Sequence, residues 1–330
     1  MSLKDAEALI RGALIAVGVP EMSAASVALA LVSAEAEGQV GHGFSRLADY
    51  AAQARSGKIR ADAEPIVDVV APTVLRVDAG HGFAFPALDV AVDEGCTLAD
   101  RMGMASMLVT RSHHCGALSL QVDRIAQRGL IGLMVANSPP AIAPWGSNEP
   151  VFGTNPIAFA VPRIGQPPLV IDLSLSVVAR GKIMNARKLG KKIPEGWALD
   201  RDGHPTVEPE DALAGSMVPI GGPKGTALAL MVEVLATTLT AANPSSQVSS
   251  FFTADGPPPG TGQFLMAIRP HDADAFGDRL EALLGHIASL EGTRLPGARR
   301  AAAIKAARAE GIDVPVAYVE AARSMAAAHG

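Results

Sequence analysis

Ala105-Ser106-Met107-Leu108-Val109-Thr110 is a short apolar run, and the residues after it, Arg111-Ser112-His113-His114-Cys115-Gly116, break its pattern abruptly. A helical period follows from Ala117 to Gln127, then a second apolar run from Leu130 to Ala136. The stretch therefore reads strand, polar motif, helix, strand. That order belongs to a sheet-containing α/β chain in which a buried strand delivers two adjacent histidines to one place.

Downstream, Gly146-Ser147-Asn148-Glu149-Pro150-Val151-Phe152-Gly153-Thr154-Asn155-Pro156 is neither a helical period nor a strand alternation. Turn formers between apolar strands predict a shaped loop, with Asn155-Pro156 fixing how the chain joins the next strand. Ile157–Val161 and Leu169–Leu173 are predicted strands, and Val177–Leu189 returns to a helical period. Residues 190–215 are polar and turn-rich, an excursion rather than a core. Thr226–Ala242 is apolar on all sides and reads as a buried interior helix. It contains Glu233 and falls short of the roughly 20 residues a bilayer span needs. Gln263–Ile268 is a further strand, and Ala273–Leu290, Ala298–Glu310 and Val316–Ala328 are helices. Upstream, residues 4–37 form two helices split by Gly18-Val19-Pro20, with Ser23 as N-cap of the second and Gly38 past its end. Pro65–Val77 suggests paired strands, and Ala84–Met102 a helix.

A chain of 330 residues exceeds the roughly 250 at which single cores stop growing, so two domains are expected. Hydrophobic residues make up 48% but aromatics 4%, so packing rests on Ala, Val, Leu, Ile and Met. The net charge of -5, without a basic arm, excludes the electrostatic footprint of a nucleic-acid binder. Met1-Ser2-Leu3-Lys4-Asp5-Ala6-Glu7 does not look like a secretory signal, which predicts a cytoplasmic protein with no membrane segment. Cys96 and Cys115 make no disulfide framework.

No Gly-x-Gly-x-x-Gly follows a strand, so a conventional dinucleotide fingerprint is absent. His42, Arg46 and Tyr50 are spaced by four, which places them on one face if a helix begins near Gly43. An imidazole can exchange a proton near neutral pH and a guanidinium can clamp a carboxylate, the parts needed to reduce a 2-oxo acid. The plainer reading is an exposed helix face with a capping histidine. His113 and His114 on an extended segment should point to opposite faces, and no carboxylate pair matches them, so no metal is expected. Cys115, Trp145 and Trp197 read as packing residues.

In their order from His42 through Gly297, these motifs resemble the malate/L-lactate dehydrogenase superfamily. That family also contains ureidoglycolate, sulfolactate and diketogulonate oxidoreductases and the cyclic imino acid reductases. The resemblance implies an α/β fold in which a non-Rossmann nicotinamide-binding sheet domain, residues 66–271, joins a helical domain from both chain ends, residues 1–65 with 272–330. It implies NAD or NADP as cofactor and a homodimer with the active site near the subunit interface. It also implies hydride transfer to or from a small 2-oxo or 2-hydroxy acid of malate, lactate or sulfolactate type.

By that resemblance His42 is similar to the family's proton donor and Arg46 to its substrate-carboxylate ligand, with Tyr50, Thr154 and Lys182 also at the substrate. His114 matches the histidine of Asn-His-Phe-Gly, as acid/base or carbonyl polariser, and with Gly116 borders the cofactor. Asp172-Leu173-Ser174, Gly222-Pro223-Lys224-Gly225 and Arg294-Leu295-Pro296-Gly297 line the cofactor, the first by placing Ser174 and free N–H groups before a helix. Lys224 or Arg294 would favour NADP if either reached the adenosine ribose.

The chain departs from the pattern at several points. Gly41 stands where many members have Ser, Lys182 where the imino acid reductases have Asp, His113-His114-Cys115-Gly116 where Asn-His-Phe-Gly is usual, and Pro223 where Tyr is common. Lys182 favours the hydroxyacid branch. Phe251-Phe252 and Asp255-Gly256-Pro257-Pro258-Pro259 resemble some cyclic imino acid reductases, the second reading. The lost Ser and altered histidine string motivate a third, a catalytically silent cofactor-binding protein.

Overall fold

Along the strand Met104–Ser112 successive side chains face different cores. Ala105, Met107 and Val109 join one buried cluster while Leu108 packs against another, the period-two outcome of a strand covered on both faces. This strand is β3 in the computed structural model, which describes residues 1–327. Before it come α1 (Leu3–Ile15), α2 (Glu21–Ala36), α3 (Leu47–Ser56), β1 (Ile66–Ala71), β2 (Val74–Asp78) and α4 (Ala84–Met102). After it come α5 (Ser119–Gln127), β4 (Ile131–Ala136), β5 (Ile157–Arg163), β6 (Gln166–Leu173), α6 (Arg180–Lys188), β7 (Ala198–Leu199) and β8 (Pro205–Thr206). The chain then runs through α7 (Pro209–Ala214), β9 (Ser216–Met217), α8 (Pro223–Glu233), β10 (Thr261–Ile268), α9 (Ala273–Ser289), α10 (Ala298–Glu310) and α11 (Val316–Ala327). Ala328, the expected last residue of the final helix, lies outside the described residues.

Seven strands form one sheet in the order β1-β2-β3-β10-β4-β5-β6. Only β2 and β3 pair in parallel; the other neighbours are antiparallel. The predicted strand, motif, helix, strand unit is present, but β10 is inserted between its two strands. On one face α4 and α5 bury Leu88, Val92, Val122 and Ile125 against Met107, Met134 and Leu265. On the other, α8 supplies Ala229 and Val232 to a cluster with Val135 and Phe264. A third cluster joins α1, α2 and α3 to Ile312, Val314 and Ala322, with Phe83 and Phe85 reaching in from the sheet side.

Several local expectations are corrected. Pro20, not Ser23, is the N-cap of α2; its ring fixes φ at -57°, and Ser23 falls inside the first turn. Residues 190–215 are more than an excursion, since β7, β8 and β9 form a small sheet and Ile193, Ala198 and Ala212 enter a core. Two-residue strands are too short to show alternation in sequence. The segment 226–242 is not an interior helix throughout: α8 ends at Glu233, a π-type turn spans Val234–Thr238, and Leu230, Met231, Val234 and Leu239 are exposed. Its apolar character reflects one face on the sheet and another left uncovered by this chain. The helical period from Val177 begins only at Arg180. Trp145, expected to pack inside, is 63% exposed. α9, grouped by sequence with the helical part, lies against the sheet, where Glu281 receives two 2.7 Å bonds from Arg163 of β5. Among the described residues no helix is long and apolar enough to cross a membrane.

Candidate active site

The expected single helix through His42, Arg46 and Tyr50 does not form. Two 3-10 turns, Val40–His42 and Phe44–Arg46, precede α3 and are separated at Gly43, whose ψ is -136°. The break has a local cause. Glu35 accepts the Phe44 N–H at 2.9 Å, and a Cβ on Gly43 would lie 1.9 Å from the same carboxylate oxygen. A side chain there would require the Glu35 carboxylate, and with it the bond to Phe44, to shift.

The three side chains nonetheless converge. The His42 and His114 rings stack with centroids 5.3 Å apart and planes 18° from parallel. Tyr50, wholly buried, places its hydroxyl 2.6 Å from His114 Nδ1. Burial first raises the Tyr50 pKa, so the phenol keeps its proton. When that hydroxyl donates to Nδ1, the neutral ring carries its proton on Nε2. Tyr50 thus meets His114 directly.

Arg46 is buried, donates from Nε to the Gly41 carbonyl at 2.8 Å, and lies 4.2 Å from the Phe252 ring centroid. Among the described residues its Nη1 makes no hydrogen bond, the Asp49 carboxylate standing 3.9 Å away. A buried guanidinium with a free N–H is a ready-made anion acceptor. Burial, with Arg46 adding repulsion, pushes the His42 pKa down to about 4. Burial pushes His113 down to about 3, with Lys58 and Arg46 adding to it, and holds His114 well below its usual value, with Arg46 and the other two histidines adding. All three rings are neutral near pH 7 beside the buried Arg46, with Lys58 also acting on His113.

His113 and His114 do not point to opposite faces. Both rings pack on Tyr50, at 5.9 and 6.1 Å, and on Phe251, at 5.4 and 5.0 Å. The regular alternation is broken just before them: β3 bulges at Arg111, whose φ is 47° and whose guanidinium is held by Asp78, before Ser112 pairs again with Thr261. His113 Nε2 lies 2.9 Å from Gln53 Oε1. Cys115 is buried, and its thiol is pushed up to about 12, first by burial, which suits a packing residue. Among the described residues the group able to share a metal ion is Asp200, Asp202 and His204, outside this cluster.

The remaining predicted residues line up along β6 and its continuation. Leu175 donates to the Thr154 carbonyl and accepts from Ile220 at 2.9 Å, which brings Ser174 beside the N-terminus of α8, where Gly222, Pro223 and Lys224 lie. No helix begins at Ser174; its hydroxyl meets that of Ser176 at 3.2 Å. Asp172 is turned away, accepting the Ser119 N–H at 2.9 Å and so capping α5. Leu173, Pro223, Lys224, Arg294 and Pro296 are exposed. Gly297 lies so close to mid-β6 that a Cβ would meet the Val170 carbonyl at 2.5 Å. Thr154 is half-buried against Ser138, Gly116 rests on the Phe85 ring, and Lys182 is exposed in the first turn of α6. Gln53, Lys58, Phe251 and Phe252 were missed as parts of the site; the aromatic pair, in a chain with so few aromatics, was the signal available.

The Malate/L-lactate dehydrogenase family model matches residues 1–322. A (2R)-3-sulfolactate dehydrogenase (NADP(+)) of Chromohalobacter salexigens is 49% identical, over 99% of this chain and 98% of that protein. A Delta(1)-pyrroline-2-carboxylate reductase of Ancylobacter novellus is 37% identical over 96% of this chain and 94% of its own length. Among solved structures, the delta1-piperideine-2-carboxylate reductase from Pseudomonas syringae pvar. tomato superimposes with a TM-score of 0.93 at 36% identity, covering 98% of this chain and 99% of that one.

Proposed function

Because this chain belongs to the malate/L-lactate dehydrogenase family, we propose that it is an NADP-dependent oxidoreductase interconverting a small 2-oxo acid and its 2-hydroxy acid, of the 3-sulfolactate type. The observation that carries the reading is the buried Arg46 with its free Nη1 beside the stacked His42 and His114. The 49% identity to a sulfolactate dehydrogenase supports the substrate type and the cofactor.

The residues present fit a nicotinamide dinucleotide. Its phosphates suit the α8 N-terminus, with Lys224 exposed beside it and Ser174 opposite, and Gly297 keeps the edge of β6 open. The antiparallel character of the sheet and the missing Gly-x-Gly-x-x-Gly support a non-Rossmann mode of binding. When bound, the nicotinamide supplies or accepts the hydride.

Arg46 Nη1 takes the substrate carboxylate, placing the 2-oxygen toward the two imidazoles. His114, its Nδ1 engaged by Tyr50, presents Nε2–H as a hydrogen-bond donor to that oxygen. His42, with no side-chain hydrogen bond among the described residues, exchanges the proton. In the oxidising direction the neutral His42 ring is ready to accept it. In the reducing direction the carboxylate on Arg46 offsets the charge that helps keep His42 neutral, so substrate binding itself favours its protonation.

The second reading, reduction of a cyclic imino acid, is favoured by the TM-score of 0.93 to a piperideine-2-carboxylate reductase. One assay separates the readings: NADPH and NADH, each with 3-sulfopyruvate, oxaloacetate, pyruvate and Δ1-piperideine-2-carboxylate. Oxidation of NADPH by the oxo acids is expected. Turnover of the cyclic imine alone would replace the first reading with the second, and cofactor binding without any turnover would favour a silent protein.

The chain acts as a cytoplasmic homodimer in this proposal. The uncovered face of α8 and the π-type turn after it supports it, since Leu230, Met231 and Val234 are exposed there while the neighbouring Glu233 is turned inward.

A further inference from the structure

The loop carrying Phe251 and Phe252 has no regular secondary structure, yet almost every carbonyl in it is bound. Lys58, only 3% exposed, directs its three ammonium hydrogens at the carbonyls of Ser250, Thr253 and Asp255, at 2.7, 3.0 and 2.9 Å. Gln53 donates to the Phe251 carbonyl at 2.9 Å, and Ser56 to that of Ala254 at 2.9 Å. One short stretch at the end of α3 thus grips five of six consecutive carbonyls. A buried ammonium is costly unless all its donors are used, and here they are.

What the grip holds is a pair of rings. Phe251 lies 5.0 Å from the His114 ring and Phe252 4.2 Å from the Arg46 guanidinium carbon. These are the two groups that, on the functional reading above, define the line from substrate carboxylate to substrate carbonyl. The rings therefore run alongside that line, and a substituent extending to that side meets them.

We propose that Phe251 and Phe252 form the side wall that limits the substrate to a small 2-oxo acid, and that Lys58 is the positioning residue fixing that wall. The proposal rests on the functional reading for its substrate and on the hydrogen bonds alone for the clamp. Phe252 also keeps water from one face of Arg46, so its loss should weaken carboxylate binding as well as enlarge the pocket.

The test compares kcat/KM for phenylpyruvate and oxaloacetate in the wild type, Phe252→Ala and Lys58→Met, with amide hydrogen exchange of residues 250–255 followed in parallel. Phe252→Ala should raise the phenylpyruvate-to-oxaloacetate ratio about tenfold or more, mainly through the phenylpyruvate KM. Lys58→Met should move the ratio the same way by severalfold, and speed exchange in the loop while the sheet amides stay protected. If Phe252→Ala leaves the ratio unchanged, the wall is wrong. If Lys58→Met lowers thermal stability and overall rate but not the ratio, Lys58 is only structural and its positioning role is overturned. If the wild type turns over neither of these acids nor 3-sulfopyruvate, the functional reading and the wall fall together. Loop exchange then judges the clamp, faster in Lys58→Met supporting it and unchanged overturning it.

Discussion

The Tyr50 hydroxyl is the hydrogen-bond partner of His114 Nδ1, at 2.6 Å, in a place where neither group meets water. A hydroxyl that donates there leaves the ring's own hydrogen on Nε2, and with that sets a division of labour between two stacked histidines. Tyr50→Phe keeps the ring and removes the donor. It should cost about 1–3 kcal/mol in urea unfolding, because Nδ1 is left buried and unpaired, and lower kcat by about one to two orders of magnitude. A variant with wild-type kcat would show that the tautomer is unimportant.

His42→Ala should lower kcat by about two to four orders of magnitude if His42 exchanges the proton. Binding of NADPH, followed by quenching of protein fluorescence, should be retained. For the free wild-type enzyme in the oxidising direction, kcat/KM should hold until pH falls toward about 4, where half of the rings are protonated. A loss of activity already near pH 6.5 would contradict the burial that depresses this group.

The buried histidines also tie stability to pH. His42, His113 and His114 all have folded-state values below the 6.5 of an exposed imidazole, with His42 at about 4 and His113 at about 3. As pH falls through 6.5 the unfolded chain takes up protons that the folded chain refuses, so their contribution is intact above 6.5 and is lost below it. The shift of His42 alone corresponds to about 3 kcal/mol by the time pH reaches 4. Urea unfolding at pH 7 and pH 4.5 should show the loss, and His113→Asn should reduce the difference between the two.

Asn155, at a left-handed φ of 39°, donates to the Ala229 carbonyl at 3.0 Å and to Glu233 at 2.8 Å, while Glu233 also accepts from the N–H and hydroxyl of Ser245. This buried junction ties the loop before β5 to the end of α8. Asn155→Ala should therefore cost about 1–3 kcal/mol by leaving part of the carboxylate unpaired. A change within experimental error in urea unfolding would show that the junction relaxes.

The apolar face of α8 should hold two copies together. Multi-angle light scattering should give a dimer for the wild type and a monomer for the double variant Met231→Glu with Val234→Glu, since two buried charges per copy would oppose association. A wild type that elutes as a monomer at micromolar concentration would end the homodimer proposal.

The run of β3, α5 and β4 was legible because each element is long enough to show its period and each is buried on a defined face. The pairing partner was not legible: nothing in Ala105–Thr110 announces that Gln263–Ile268 lies beside it. His42, Arg46 and Tyr50 were found by their spacing, yet the helix that spacing predicts is broken at Gly43 by Glu35, a contact between residues that no local pattern encodes. The roles of Gln53 and Lys58 were hidden for a similar reason. Their partners are backbone carbonyls almost 200 residues away, and a carbonyl has no sequence identity. Asp172, placed at the cofactor by the resemblance, accepts the Ser119 N–H at the start of α5, a partner more than fifty residues away that no local pattern announces.

The place of β10 in the middle of the sheet has a consequence for how the molecule comes into being. β3 and β4 both take their hydrogen-bonding neighbour from residues 261–268, synthesised more than a hundred residues later. On the ribosome the first four strands can gather α4 and α5 around them, but the sheet stays split into two unpaired edges until that late strand emerges. Such edges invite pairing with other chains, and closure over so long a separation is slow. The nascent protein therefore passes through a stage in which its finished half is its most vulnerable part.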